Sequence, residues 1–332
     1  EIALELDPEY YKRLWVNSHE ACPNWSPPPD PAAADSYLGN GYFPAWCADV
    51  SRRQLQKAAD DPRYAYGETI LTFWPWPNRN FGGLDAGTRA INVDDDGDGK
   101  SDRVVTVASP ILHFCGLLNS MSSAYTVLPE QMLGGYIISG FASRDDAELR
   151  ILLYSHNPLD TQSRSDTTVE VKVNVAGLTW ERARVEAYRF DREHNTYYHL
   201  GRELRDRDPV RAPTDEVNRA VLEIQSDDRD VQLAAMKKLD KLGPAAQLAA
   251  PTVMQCMQTA TNEAVRKAAQ AAFAKIAFGA ACYSADEVRQ VEALSRLQPP
   301  DTHTVSRDTA STLRIPAELT SNGAVVLVIR PE

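Results

Sequence analysis

The sequence lacks a long apolar run. No uninterrupted stretch approaches the roughly 18 apolar residues of a membrane-spanning helix, so no transmembrane segment is predicted. The first residues also lack an initiator Met and the basic and apolar regions of a signal peptide. We therefore expect residue 1 to be a processed or truncated end and any signal peptide to lie outside this sequence.

Positive charge is also scarce. The 332 residues carry 35 Lys and Arg against 46 Asp and Glu, for a formal net charge of −11. Without a broad basic face, nucleic acid and anionic membrane surfaces are excluded as general partners. A small anionic substrate remains compatible, because one local arginine can bind a carboxylate.

Cysteine is infrequent and its number is odd. Cys22, Cys47, Cys115, Cys256 and Cys282 are scattered, and their spacing matches no zinc or redox motif. Such thiols are typical of ordinary buried cysteines, although a disulfide remains possible. The sequence leaves the redox compartment open.

The chain length and the hydrophobic content of 43% predict several domains with real cores. Residues 69–74 are β-branched and aromatic, which predicts a buried strand, and residues 110–121 read as a helix capped by Ser109. Helical composition also covers residues 32–57, interrupted by Gly39, Gly41 and Pro44. Strands that alternate with helices predict a parallel α/β fold for residues 1–124.

The character changes after residue 124. Short predicted strands separated by turn residues cover 136–141, 149–154, 169–175, 185–190 and 324–329. We therefore predict a β-sandwich formed by residues 125–204 and completed by 302–332. Residues 205–301 are predicted to be a helical insertion between its two parts.

Two segments of the insertion are similar to each other in sequence. Residues 230–235 resemble residues 264–269 at an offset of 34, and predicted second helices cover 246–258 and 285–297. This pattern resembles HEAT-type repeats, which would offer a surface to a protein partner. Four helices with accidental alanine spacing are the alternative.

An acidic, glycine-containing segment predicts a metal site. Alternate carboxylates on a tight loop converge on one point, as Ca²⁺ requires, and the segment resembles the calcium loops of dockerin and integrin-type repeats. The predicted site comprises Asp94, Asp96, Asp98, Lys100 and Asp102. We expect a structural role for the ion in a loop that joins a strand to a helix. A solvated acidic turn is the alternative, and no organic cofactor is predicted.

Glu20 is the candidate catalytic residue. It follows a predicted strand at 14–16, and barrel enzymes place catalytic groups at such strand ends, although a solvated carboxylate is the alternative. Residues 14–25 resemble the nucleophile strand and loop of glycoside hydrolase family 39, in particular its α-L-iduronidase-like members. Glu20-Ala21-x-Pro23 is intact and Asn17 and Trp25 are present, whereas His19 replaces an acidic residue.

The resemblance continues in collinear order over residues 10–204 and 310–332. Its further segments are 73–77, 109–112, 116–118, 152–155, 185–191, His194-Asn195 and 328–332. It implies that residues 1–124 are the C-terminal part of a (β/α)₈ TIM barrel followed by a β-sandwich. The helical insertion departs from the family.

The resemblance implies a retaining glycosidase that acts on a uronic-acid-containing or related polysaccharide, with Glu20 as nucleophile. The family's acid/base is a Glu preceded by Asn, and the sole such pair, Asn262-Glu263, lies in the helical insertion. We therefore expect the acid/base on an N-terminal barrel polypeptide of the same protein. A secreted location is expected, in an extracellular, periplasmic or lysosome-like compartment.

The carbohydrate substrate would contact residues near Glu20 and the last barrel strand. The candidates are Asn17, His19, Trp25, Glu68, Trp74, Trp76 and Arg79. The Arg79 fork suits a carboxylate, although a surface arginine is the alternative, and the tryptophans could equally be packing.

A non-catalytic role is the main alternative function. A glycosidase-derived protein with a helical interaction module could bind polysaccharide or act as a scaffold without turnover. The exchange of an acidic residue for His19 favours this alternative.

Overall fold

The computed structural model describes residues 39–61, 88–98, 101–122, 124–207, 214–243, 246, 249–278 and 282–332. Eight helices and twelve strands are defined in these ranges. The helices are α1 (Tyr42–Asp60), α2 (Pro110–Asn119), α3 (Tyr198–Arg207), α4 (Thr214–Ile224), α5 (Arg229–Leu242), α6 (Ala250–Thr259), α7 (Glu263–Phe278) and α8 (Ala285–Leu294). The first six strands are β1 (Thr88–Asp94), β2 (Arg103–Ala108), β3 (Tyr125–Val127), β4 (Gln131–Leu133), β5 (Tyr136–Arg144) and β6 (Leu149–His156). The others are β7 (Thr168–Ala176), β8 (Arg182–Phe190), β9 (Cys282–Ser284), β10 (Asp301–Ser306), β11 (Thr312–Thr320) and β12 (Gly323–Pro331).

A seven-stranded antiparallel sheet forms the centre of the fold. Its order is β10-β8-β12-β6-β5-β3, and β4 pairs with β5. The C-terminal strand β12 lies between β6 and β8, with Val326 opposite Leu152 on one side and Tyr188 on the other. Residues 323–329 are buried on both faces, which explains why this strand reads as one continuous apolar run.

A two-stranded sheet of β7 and β11 covers one face of the central sheet. The odd-numbered valines of β7 point toward a shared core that includes Leu313, Ile315, Val325 and Leu327. The even-numbered polar residues of β7 face outward, so the strict alternation of valines and polar residues along this strand reflects one buried and one exposed face. The predicted strands of this region therefore lie in a two-layered β-sandwich.

Helices α1 and α2 pack on the opposite face of the central sheet. Phe43 and Phe114 join Phe190 and Val326 in a second apolar cluster. Helix α2 begins at Pro110 after Ser109, as predicted. Helix α1 begins after Gly41, whose φ of 90° favours glycine, and Pro44 lies within the first turn, where proline is tolerated and does not interrupt the helix.

A small sheet with the order β2-β1-β9 packs against α3 and α8. Strands β1 and β2 are antiparallel, while β9 pairs in parallel with β1 through Asn92 and Cys282. The expectation that the acidic segment joins a strand to a helix was wrong, because the segment is the turn of a β-hairpin. The hairpin register places Val93 opposite Arg103.

Helices α4 to α7 form a separate helical core. Ala235 of α5 and Ala269 of α7, which are related by the offset of 34 residues, are both fully buried in this core. Helix α8 departs from the predicted pairing with α7. Its Val288 and Val291 pack with Ile91 of the small sheet and Leu204 of α3. The repeat interpretation of α4 to α7 stays a prediction.

In the part of the chain that the structure describes, no helix is long and apolar enough to cross a membrane.

Candidate functional site

The predicted glycosidase residues lie outside the described residues. This applies to Glu20 and to the predicted substrate-binding residues Asn17, His19, Trp25, Glu68, Trp74, Trp76 and Arg79. Lys100 of the predicted calcium loop also lies outside them. Among the described residues, the candidate functional groups are the acidic hairpin and two polar clusters, one around Asp49 and one around Asp191.

The turn between β1 and β2 brings acidic side chains together. Asp94 ends β1, and its Oδ1 accepts hydrogen bonds from the backbone N–H groups of Gly97 at 2.6 Å and Asp98 at 3.1 Å. Asp102 Oδ2 accepts from the backbone N–H of Asp95 at 2.7 Å across the turn. Gly97 has a φ of 80°, a left-handed conformation that favours glycine. Hydrogen bonds from backbone N–H groups to the Asp94 and Asp102 carboxylates therefore stabilise the turn.

Asp94, Asp96 and Asp102 form the candidate metal centre. One carboxylate oxygen from each lies within 4.8 Å of the others, and Asp96 and Asp102 are exposed. Clustered carboxylate oxygens suit a hard cation such as Ca²⁺. Asp98 was also predicted as a calcium ligand from the sequence, but it is not part of this group of three.

Asp95 plays a different role in the same turn. Its carboxylate accepts from Arg103 Nε at 2.8 Å and from Arg103 NH2 at 3.1 Å, a bidentate pair. This ion pair directs Asp95 toward β2, away from the group formed by Asp94, Asp96 and Asp102. Beneath the turn, Ile91 and Val93 are fully buried, so the hairpin that carries the acidic group is anchored in a core.

A buried polar network between α1 and β6 was not predicted. Asp49 accepts hydrogen bonds from Tyr154 Oη at 2.7 Å, Arg53 Nε at 3.0 Å and His156 Nδ1 at 3.3 Å. Burial raises the pKa of the Asp49 carboxyl, but the hydrogen bonds from His156, Tyr154 and Arg53 outweigh it and lower the pKa to about 2. Asp49 therefore remains ionised inside the protein and ties α1 to the sheet.

The His194-Asn195 segment, which carries part of the family resemblance, lies in a tight loop after β8. Asp191 Oδ1 accepts from the backbone N–H groups of Glu193 and His194 and from His194 Nδ1, at 2.8 to 2.9 Å. The hydrogen bond that His194 Nδ1 donates to the Asp191 carboxylate is the main cause that raises the pKa of His194. Asn195 Oδ1 accepts from the backbone N–H of Gln298 at 2.6 Å, which connects the loop to the segment before β10.

A cavity of about 280 Å³ opens beside this loop. Its lining includes Arg189, Glu193, His194, Gln298 and Asp301. Cationic and anionic groups both line it, so its charge does not select one class of ligand. The contact that the structure shows for the Asp191 loop is the hydrogen bond of Asn195 with the segment between α8 and β10.

The Asn262-Glu263 pair has the role of a helix start. Asn262 Oδ1 accepts from the backbone N–H groups of Ala264 at 3.0 Å and Val265 at 3.3 Å, as an N-cap does. Glu263 lies in the first turn of α7 and forms an exposed ion pair with Lys267. These contacts account for the pair without a catalytic role.

Comparison with known proteins gives matches only among solved structures. No protein-family model matches the sequence, and no curated protein matches it. A bacterial orthologue of human α-L-iduronidase is similar with a TM-score of 0.47 and 9% identity, over 90% of this chain and 39% of that one. A GH39 enzyme from Xanthomonas axonopodis pv. citri is similar with a TM-score of 0.43 and 10% identity, over 96% and 45%.

A monomeric β-xylosidase from Caulobacter crescentus CB15 is a third similar structure. Its TM-score is 0.41 at 13% identity, over 96% of this chain and 46% of that one. The chain thus spans less than half the length of each of these three proteins.

Proposed function

We propose that this chain is the C-terminal part of a retaining glycoside hydrolase and that Glu20 is its nucleophile. The observation that carries the proposal is the segment Asn17 to Trp25, with its intact Glu20-Ala21-x-Pro23 sequence. A carboxylate at this position would attack the anomeric carbon and form a covalent glycosyl–enzyme intermediate.

The elements after residue 108 support the proposal through their order. The segments that resemble the family after this point coincide with helix α2 and with strands β6, β8 and β12. These strands are neighbours in the central sheet, and α2 packs on its face. The segments that resemble the family therefore follow one another in the same order along the chain, from the Glu20 segment to the strands of the sandwich.

The second carboxyl group is proposed to come from sequence outside these 332 residues. A retaining enzyme needs an acid/base about 5 Å from the nucleophile, and no Asn–Glu pair precedes Glu20. An N-terminal barrel polypeptide of the same protein would supply this group. The proposed substrate is a uronic-acid-containing or related polysaccharide, with Arg79 and Glu68 near its carboxylate and with Asn17, His19, Trp25, Trp74 and Trp76 lining the sugar.

We also propose that Asp94, Asp96 and Asp102 bind Ca²⁺ in a structural role. Three carboxylates repel one another in the absence of a cation, and oxygen ligands at about 2.3–2.6 Å are those that calcium prefers. The ion would cross-link the two strands of the hairpin, since Asp94 ends β1 and Asp102 precedes β2.

Mechanism-based labelling tests the nucleophile. The complete protein, including its N-terminal barrel, is incubated with 2-fluoro glycosides of uronic acids and xylose, and the labelled peptide is sequenced. We expect the label on Glu20, and we expect Glu20→Gln to lower kcat by several orders of magnitude. Glu263→Gln is the matched control, because Glu263 is an exposed residue of α7, and it should retain activity.

Two outcomes would contradict the catalytic proposal. A label on another carboxylate would exclude Glu20 as nucleophile. Polysaccharide binding without any turnover by the complete protein would instead favour the non-catalytic binding or scaffold role.

Calcium titration tests the metal site separately. A ligand that binds only the folded protein stabilises it by RT ln(1 + [L]/Kd), about 2.7 kcal/mol at one hundred times Kd. We expect added Ca²⁺ to raise the melting temperature of the wild type but not that of Asp96→Asn. Asp146→Asn, in an exposed turn, should respond like the wild type. An equal response of both variants would exclude the site.

A further inference from the structure

Two of the five cysteines lie on neighbouring helices. Cys47 on α1 belongs to the apolar cluster formed by α1, α2 and the central sheet, and Cys115 on α2 packs against the same cluster. The two helices are in contact. Each of the two thiols has the largest effect of any group on the pKa of the other, so the Cys47 and Cys115 side chains are close neighbours. The spacing of the two cysteines does not predict this neighbourhood, because 67 residues lie between them.

The two thiols differ in a way that suits ordered disulfide exchange. Cys115 is partly exposed, whereas Cys47 is buried. The neighbouring Cys47 thiol lowers the pKa of Cys115, while the neighbouring Cys115 thiol and burial raise the pKa of Cys47. Since the thiolate is the attacking form, the accessible sulfur is also the better nucleophile.

We propose that Cys47 and Cys115 form a disulfide by exchange with a low-molecular-weight disulfide. The Cys115 thiolate attacks one sulfur of the external disulfide, forms a mixed disulfide and releases one thiolate. Cys47 then attacks the Cys115 sulfur, forms the Cys47–Cys115 bond and releases the second thiol with its proton. The two protein thiols are oxidised, and one external disulfide is reduced to two thiols.

The disulfide would fasten α1 to α2 and close the chain between them into a loop. This loop contains residues 69–79, which carry the proposed sugar-binding tryptophans and Arg79, and the β1–β2 hairpin with its acidic group. Cross-linking restricts the unfolded chain more strongly when the closed loop is long. The oxidised protein should therefore be more stable than the reduced one, whether or not it is a glycosidase.

Peptide mapping under non-reducing conditions tests the proposal. Reduced full-length chain is incubated with oxidised glutathione, and remaining thiols are blocked with maleimide before digestion. We expect a cross-linked peptide pair containing Cys47 and Cys115, lower in mass by two hydrogen atoms than the two reduced peptides together. The melting temperature should rise by several degrees and return to its starting value after reduction.

Single variants test the order of attack. Cys47→Ala should accumulate glutathione on Cys115, because the resolving thiol is absent. Cys115→Ser should leave Cys47 unmodified, because Cys47 is buried. Cys256→Ala is the control, since Cys256 lies in the separate helical core, and this variant should still form the cross-link.

Wild-type protein decides the question even if a variant fails to fold. A persistent glutathione adduct on Cys115 in the wild type, or a cross-link from Cys115 to a different cysteine, would overturn the proposal. So would recovery of both thiols as maleimide adducts after prolonged exposure to oxidised glutathione.

Discussion

Asp49 provides a stability prediction whose size follows from the structure. Its carboxylate lies between α1 and β6 and accepts hydrogen bonds from Tyr154, Arg53 and His156. The pKa falls from an ordinary value of 3.8 to about 2 in the folded protein. One pKa unit corresponds to about 1.4 kcal/mol, so the ionised Asp49 contributes about 2 kcal/mol at neutral pH.

The sign of the pH dependence follows from the direction of this change. A carboxyl group whose pKa is lower in the folded state stabilises the protein above its unfolded pKa. The contribution of Asp49 is therefore complete above pH 4 or so, and it is lost as the pH falls toward about 2.

Asp49→Asn removes the charge while keeping the shape of the side chain. We expect the variant to lose about 2 kcal/mol of local stability at pH 7, which is a decrease of about 30-fold in protection against amide hydrogen exchange. The measurement is hydrogen exchange by mass spectrometry on peptides from α1 and β6. The difference between wild type and variant should shrink between pH 4 and pH 2.

Asp60→Asn is the matched control on the same helix. Asp60 is exposed and accepts a surface hydrogen bond from Gln56 at 3.1 Å. Surface substitutions of this kind change stability by less than about 0.5 kcal/mol. Equal protection in the Asp49 and Asp60 variants at pH 7 would refute the assigned role of the buried carboxylate.

Further predictions concern two glycines and the His194 loop. Gly140→Ala should destabilise the sandwich by about 1–3 kcal/mol in chemical denaturation, because the added Cβ would lie 2.0 Å from the carbonyl oxygen of Leu152. A Cβ added by Gly116→Ala on α2 meets no atom of the described residues within 4 Å, so this variant should instead stabilise its helix by about 0.5–1 kcal/mol. The opposite order of the two effects would contradict the packing. Asp191 raises the pKa of His194 above 6.5, so this pair stabilises the protein fully below pH 6.5 and loses its effect as the pH rises through the folded pKa. His194→Gln should reduce the loss of melting temperature that the wild type shows as the pH rises above 6.5. If the variant keeps the wild-type pH dependence, the His194–Asp191 pair is not the cause of that dependence.

The sequence by itself determined the elements whose signals are local. Pro110 after Ser109 marked the start of α2, since proline has no backbone donor to lose in a first helical turn. The strict alternation along β7 identified one wet and one buried face. The apolar run at residues 324–329 likewise predicted the last strand of the sheet, and the structure shows that this strand is buried on both faces.

The acidic hairpin was predictable in part. Alternating aspartates and glycines indicated a tight turn with converging carboxylates, and Asp94, Asp96 and Asp102 do converge. Spacing could not show that Asp98 lies outside this group or that Asp95 instead pairs with Arg103. Those outcomes depend on the twist and register of the two flanking strands.

Only the tertiary structure decided the contacts between distant segments. Strand β9 pairs with β1 through residues 282 and 92, so α8 leaves the helical core and packs on the small sheet. Asp49 accepts a hydrogen bond from Tyr154 because α1 packs on the central sheet. Cys47 and Cys115 are neighbours because α2 packs on the same face of that sheet. A local sequence pattern records burial and periodicity, but it does not record which distant residue fills the facing position. That choice is made by the packing of whole elements against one another.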